Sequence, residues 1–159
     1  ILMNGSVTFG ENCKIHFNTA FVAGGTSQDS PTLGDSVVVG VGATVLGGIT
    51  IANNVAIGAG AVVTKATDGQ QAVEMFKENP PGTFDAILMD VMMPVLDGLC
   101  ATRTIRALSR KDARNIPIIA MTANAFAEDK TETKKAGMDD HIAKPLKGND
   151  VIRTISKYL

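Results

Sequence analysis

Apolar positions recur every six residues through the opening 66 residues of the chain. Read from Pro31, the sequence divides into PTLGDS, VVVGVG, ATVLGG, ITIANN, VAIGAG and AVVTKA. The third place of each hexad is aliphatic: Leu33, Val39, Val45, Ile51, Ile57 and Val63. The fourth place is mostly small, as Gly34, Gly40, Leu46, Ala52, Gly58 and Thr64. Extended backwards, the frame puts Met3, Phe9, Ile15 and Phe21 at the third place, and only GTSQDS (25–30) fails, with Ser27 in the apolar position. A short strand, a tight corner and another short strand turn one side chain inward per flat face. A small corner residue avoids a Cβ clash, and each coil buries its aliphatics on the coil beneath. A β-sandwich with glycine turns keeps no fixed six-residue frame, so the period predicts a β solenoid over 1–66.

From residue 67 the pattern becomes alternating helix and strand. GQQAVEMFKEN (69–79) places Val73 and Phe76 on one helical face and stops at Pro80-Pro81-Gly82. Phe84–Asp90 is an apolar strand closing on a carboxylate, and Gly98–Arg110 a helix with Ala101, Ile105 and Leu108 inward. Ile116–Ala123 reads as a second buried strand, Ala125–Ala136 as a polar helix, His141–Lys144 as a third strand ending at Pro145, and Asn149–Leu159 as a terminal helix burying Val151, Ile155 and Leu159. Near-continuous apolar strands alternating with helices predict a parallel α/β sheet with helices on both faces.

Composition sharpens the seam between the two patterns. Of 15 basic and 16 acidic side chains, only Glu11, Lys14, Asp29, Asp35 and Lys65 precede residue 67, whereas 11 of the 16 glycines do. A net charge of −1 with six Phe, one Tyr and no Trp argues against a nucleic-acid binder. No apolar run is long enough to span a bilayer, and no signal-peptide anatomy is present. Cys13 and Cys100 are too few for a disulfide framework, so both are read as reduced thiols of a cytoplasmic protein. The chain opens on Ile1 rather than Met, as a fragment, a processed chain or an engineered one would.

In a parallel sheet, sites form beyond the carboxyl ends of the strands. Asp90, Thr122 and Lys144 stand there, one from each of three successive strands. Singly they mean little, since Asp often ends a strand and Lys-Pro is a common pair. Together, an acid, a hydroxyl and an amine suit phosphoryl transfer onto a carboxylate. Asp90 would be the nucleophile, Lys144 would pair with the carboxylate and then the phosphate, and Thr122 would hydrogen-bond the phosphoryl oxygen.

Two family resemblances follow from these strings. GGTSQDSPTLGDSVVVGVGATVLGGITIANNVAIGAGAVVTK resembles the left-handed β-helix of the hexapeptide-repeat acyltransferases, most of all the serine acetyltransferase branch. That resemblance implies three hexads per triangular coil, acetyl-CoA along the coils of a homotrimer, and a histidine as general base. The histidine that commonly precedes Pro-Thr-Ile-Gly-Asp is replaced here by Ser30, before Pro31-Thr32-Leu33-Gly34-Asp35. His16 is then the candidate base, or a corner residue facing solvent, and Gly24, Gly25 and Ser30 the candidate ligand contacts, or a surface loop.

ATDGQQAVEMF, DAILMDVMMPVLDG, IIAMTANAF and HIAKPL resemble the receiver domain of two-component response regulators, especially receivers attached to hybrid sensor kinases. The resemblance covers 67–159 and implies a flavodoxin-like fold, a phosphoryl donor that is a histidine kinase or phosphotransfer protein, and Mg²⁺. It makes Asp90 the phosphoacceptor, Thr122 the switch hydroxyl, Lys144 the invariant amine and Lys144-Pro145 a cis peptide. His141 falls at the rotating aromatic of that pattern, or is an edge-strand surface histidine. A whole receiver begins one βα unit earlier, with a strand ending in paired acids that hold the metal, and hexads occupy that ground here. Asp90, the Met92 carbonyl and Asp68 are the remaining metal candidates, Asp68 also reading as a turn former.

The string 61–68 is acceptable to both folds, as a last hexad or as a receiver's second strand. One expectation is that Val62–Lys65 closes onto Phe84–Asp90 in the gap left by the missing strand, bringing Asp68 to the site. Three functions are in play: a phosphorelay receiver module fused to a β-helix, an acetyl-CoA-dependent acyltransferase with a vestigial receiver part, and a chimera with neither activity.

Overall fold

In a computed structural model of the chain, residues 1–3, 5–24, 29–123 and 127–158 are described. They divide into two compact units, Ile1–Lys65 and Ala66–Leu159.

The described residues of the first unit form ten short strands, β1 (Leu2–Met3), β2 (Thr8–Phe9), β3 (Lys14–Ile15), β4 (Ala20–Val22), β5 (Thr32–Leu33), β6 (Val38–Val39), β7 (Thr44–Leu46), β8 (Thr50–Ile51), β9 (Ala56–Ile57) and β10 (Val62–Val63). Every third strand pairs, always in parallel, giving the ladders β1-β4-β7-β10, β2-β5-β8 and β3-β6-β9. Thr32 pairs with Thr50, Val38 with Ala56 and Thr44 with Val62, a register of three hexads. Pairs that straddle 25–30, such as Thr8 with Thr32 and Ala20 with Thr44, are one hexad further apart. The hexad that breaks the apolar rule is therefore an insertion between paired strands.

Two places of each hexad feed the core rather than one. Phe21, Leu33, Val39, Val45, Ile51 and Ile57, all third-place residues, are buried, and first-place Val37 and Ala43 join them. Thr19, also at a first place, is buried with its hydroxyl donating to the His16 carbonyl at 3.0 Å.

The corners correct the expected role of the fourth place. Left-handed backbone occurs at sixth-place Asn12, Asn18, Ser36, Gly42, Asn54 and Gly60, and at fifth-place Gly5 and Gly47. Asn tolerates this conformation because its short polar side chain bonds locally, and Gly because it has no Cβ. The fourth place is small for a different reason. A Cβ on Gly40 would lie 2.5 Å from the Ala59 nitrogen, and one on Gly34 2.9 Å from the Asn53 nitrogen. Stacked backbone occupies that space.

The second unit contains α1 (Gly69–Glu78), β11 (Ile87–Asp90), α2 (Gly98–Arg106), α3 (Lys111–Asn115), β12 (Ile118–Thr122), α4 (Ala127–Ala136), β13 (Asp140–Ala143) and α5 (Gly148–Ile155). Its described strands form a parallel sheet in the order β11-β12-β13. Val73 and Phe76 of α1 and Ala101 and Ile105 of α2 pack with Met89, Ile118 and Ala120 of the sheet.

Two expectations fail here besides the terminal helix, which ends at Ile155 and buries Thr154, with Val151 and Ile155 half-buried and Leu159 outside the described residues. The helix from Gly98 stops at Arg106 instead of running to Arg110. Arg110 instead leads into α3, where its guanidinium lies 4.4 Å over the Phe76 ring, donates to the Asn79 carbonyl and grips Asp112 with two nitrogens at 2.7 Å. That grip holds the Asp112 carboxyl well below the usual carboxylate range. The second failure concerns the junction: Val62–Val63 pairs with Thr44–Val45 inside the first unit, so it does not close onto β11.

Beyond β11 the chain passes through Val95 at φ 65°, a left-handed conformation that β-branched residues rarely adopt.

Gly40→Ala is expected to destabilise the first unit by about 1–3 kcal/mol through overpacking. Gly58→Ala, a fourth-place change with nothing within 4 Å of the added Cβ, should be neutral or stabilise by up to about 1 kcal/mol. Calorimetry showing equal losses for both would refute the stacking explanation. Because Val95 is 84% exposed, Val95→Gly should relieve strain without losing packing and raise stability by about 1 kcal/mol. A lowered denaturation midpoint would show that this backbone is not strained.

Candidate functional site

Three parallel strands with fixed register end together. Asp90 pairs with Met121, and Thr122 with Ala143, so the carboxyl ends of β11, β12 and β13 finish along one edge. The Lys144 N–H continues the ladder by donating to the Thr122 carbonyl at 2.7 Å, and the Lys144-Pro145 peptide is cis, as the receiver resemblance implies.

The Asp90 carboxylate is engaged at both oxygens. Oδ1 accepts the Met92 backbone N–H at 3.1 Å, and Oδ2 pairs with the Lys144 ammonium. Both side chains remain in reach of solvent, 25% exposed for Asp90 and 40% for Lys144. Thr122 differs: it is buried, and its Oγ1 has no hydrogen-bond partner among the described residues. A buried hydroxyl left unpaired costs about 1–3 kcal/mol, and the group retains a donor for an incoming oxygen.

The elements around these residues hold them in place. Gly98 lies so close to the end of β11 that a Cβ there would stand 2.0 Å from the Asp90 carbonyl oxygen. The next helix begins there, capped by Asp97 Oδ1, which accepts the Cys100 N–H at 2.7 Å. The strand before Lys144 is tethered by charge. Lys157 donates to Asp140 Oδ2 at 2.8 Å, and the Tyr158 hydroxyl to the Asp139 carbonyl at 3.1 Å. Partial burial works to raise the Asp140 carboxyl, but the Lys157 ammonium and the His141 N–H outweigh it and leave the group below its ordinary value. Burial, reinforced by the nearby Asp140 and Asp139 charges, raises the Tyr158 phenol.

Of the other predicted residues, Met92 reaches Asp90 through its backbone N–H, and Asp68 is engaged elsewhere. Asp68 caps α1: Oδ1 accepts the Gln71 N–H at 2.9 Å and Oδ2 the Thr67 hydroxyl at 3.2 Å. It is a helix-starting residue, the turn-forming alternative. Met92 contributes its N–H to Asp90 while its side chain is 80% exposed. Among the described residues, no three or more His, Cys, Asp and Glu are gathered closely enough to hold a metal ion. His141 is partly exposed, its Nδ1 3.7 Å from Asp140 Oδ1.

In the first unit the candidate acyl-transfer residues serve the stacking. His16 is exposed, and its backbone bonds to Val39 and Thr19. Ser30 Oγ accepts the Ser6 N–H at 2.9 Å, and a Cβ on Gly24 would meet the Gly47 Cα at 2.8 Å. Gly25 lies outside the described residues. Two features escaped the sequence reading: the Met92 N–H as a carboxylate donor and Gly98 as the residue that lets α2 approach. The Asp97-Gly98 pair was the available signal for the second.

Comparison with known proteins agrees with this geometry. A model of the response regulator receiver domain matches residues 49–156, more than half of the chain. A bacterial transferase hexapeptide model of six repeats matches 30–65, so the two overlap on 49–65. Hybrid signal transduction histidine kinase I of Dictyostelium discoideum is 42% identical over 103 residues, covering 61% of this chain and 6% of that protein. Two-component system protein A of Emericella nidulans is 43% identical over 93 residues, covering 58% and 13%. The chain thus spans only a small part of the curated relatives it matches. Among solved structures, the receiver domain of a sensor histidine kinase from Pseudomonas aeruginosa, with a magnesium ion coordinated in its active site cleft, aligns with a TM-score of 0.53 at 44% identity, covering 61% of this chain and 75% of that one. A chemotaxis protein of Vibrio cholerae aligns with a TM-score of 0.55 at 29% identity, covering 62% and 78%. By the extent of the family match and the sheet that carries it, this chain belongs to the response regulator receiver family.

Proposed function

We propose that the second unit accepts a phosphoryl group on Asp90 from a histidine kinase or a phosphotransfer protein. The observation that carries this reading is a buried Thr122 hydroxyl with no partner among the described residues, at the same strand-end edge as a carboxylate already paired with an ammonium. In the step, an Asp90 oxygen forms a bond to phosphorus as the donor's P–N bond breaks. The donor nitrogen keeps the bonding pair, so a phosphohistidine leaves as imidazole. Lys144 moves from the carboxylate to the new phosphoryl oxygens, and Thr122 donates to one of them. The whole-protein roles of the much longer relatives, as sensors and kinases, are not assigned to this chain.

The related Pseudomonas receiver holds Mg²⁺ in its cleft. Mg²⁺ demands near-octahedral oxygen coordination and yields its waters reluctantly. One carboxylate, already neutralised by Lys144, with Asp68 spent on a helix cap, does not fit that demand.

The first unit we read as a left-handed β-helix of residues 1–66, supported by the three-hexad register and by the hexapeptide match. Nothing in the site geometry favours acetyl-CoA chemistry: His16 stands exposed, and Ser30 is committed to Ser6. Among the described residues no helix is long and apolar enough to cross a membrane.

Incubation of the full chain with phosphoramidate should add one phosphoryl group, seen by intact mass. Asp90→Asn should abolish the adduct, and persistence of the adduct in that variant would refute the assignment. Thr122→Val should slow labelling about tenfold while leaving stability unchanged or raised by about 1 kcal/mol, because it removes a hydroxyl that has no partner. An undiminished labelling rate would exclude Thr122 from the step.

A further inference from the structure

We infer that this receiver unit works without a divalent metal, with the Lys144 ammonium as the resident counter-charge of its acceptor carboxylate. The inference rests on the assignment of Asp90 as acceptor and departs from the metal site of the related Pseudomonas structure.

Three observations carry it. The Asp90 oxygens are both taken, one by a backbone N–H at 3.1 Å and one by Lys144. The second acid that sequence offered, Asp68, is bonded at both oxygens to Gln71 and Thr67. The ground where paired acids would precede α1 is occupied by hexads, and their last strand, Val62–Val63, is committed to β7.

Charge then decides the outcome. A dication entering beside Asp90 would face the ammonium already paired with that carboxylate, and the three groups together would carry an excess of two positive charges. Full hydration is the better state for Mg²⁺ there. A phosphoryl group brings its own negative charge, and the Lys144 ammonium and the Thr122 hydroxyl are the groups placed to meet it. With phosphoramidate the O–P bond to Asp90 forms, the P–N bond breaks, and the nitrogen, already protonated in the reagent's zwitterion, leaves with the pair as ammonia.

Two measurements on the full chain test this. In an amide NMR titration with MgCl₂ to about 20 mM at constant ionic strength, the Asp90, Val91 and Met92 signals should not shift saturably; saturable shifts at these amides would overturn the inference. In phosphoramidate labelling, rates with 10 mM Mg²⁺ and with EDTA should agree within about twofold, whereas Lys144→Ala should fall at least about tenfold. A loss of more than about tenfold on adding EDTA would overturn the inference and leave Asp90 as acceptor intact. No adduct in either condition would overturn the acceptor assignment instead, and the titration would still decide whether the pocket takes the metal.

Discussion

Parallel pairing at fixed register is the constraint on which both units depend. In the first, a three-hexad register lays like positions over like, so third-place aliphatics meet third-place aliphatics and fourth-place Gly34 and Gly40 meet backbone. In the second, the same kind of pairing aligns the carboxyl ends of β11, β12 and β13 and brings Asp90, Thr122 and Lys144 from positions far apart in sequence to one edge. Parallel strands cannot be joined by tight turns. The two units answer that requirement differently, one by passing through the other two ladders before returning and one by crossing over through helices.

The site built on that edge is an unfinished set of interactions. A carboxylate and an ammonium neutralise one another, while a buried hydroxyl at the same edge has no partner among the described residues. Proteins seldom leave buried polar atoms unpaired, so the Thr122 hydroxyl is most simply explained by a partner that arrives. An oxyanion bonded to Asp90 would serve. It would satisfy Thr122 and replace the carboxylate charge against Lys144, which is how such a pocket can be stable in two charge states.

Much of this was legible from the residues. The hexad frame located every described strand of the first unit and the break at 25–30, because a period repeated so often overwhelms local propensity. The three strand-end residues were legible because strand length and chain order fix where each strand stops. Other features were not. The early end of α2 depends on a guanidinium reaching the Phe76 ring and the Asn79 carbonyl across 31 residues or more. Assignment of the left-handed corners to the sixth place rather than the fourth needed backbone angles, since glycine serves both close approach and positive φ.

The junction shows where sequence compatibility stops and pairing decides. Residues 49–65 satisfy both a receiver model and a hexapeptide model, yet one strand's N–H and C=O groups on a given side can serve one ladder. Val62–Val63 has β7 within easy reach, at the register every neighbouring pair already uses, with third-place Val63 delivered to an existing core. Pairing with β11 would require closing a loop through the whole of α1 before any contact formed. The nearer ladder prevails, and consequences follow in the second unit: Asp68 falls at the start of a helix and caps it, and Leu88 in the middle of β11 stays 37% exposed. The segment that could have filled the gap beside β11 is thereby spent on β7, and Asp68, which follows it, serves a helix start instead of the edge where Asp90 stands.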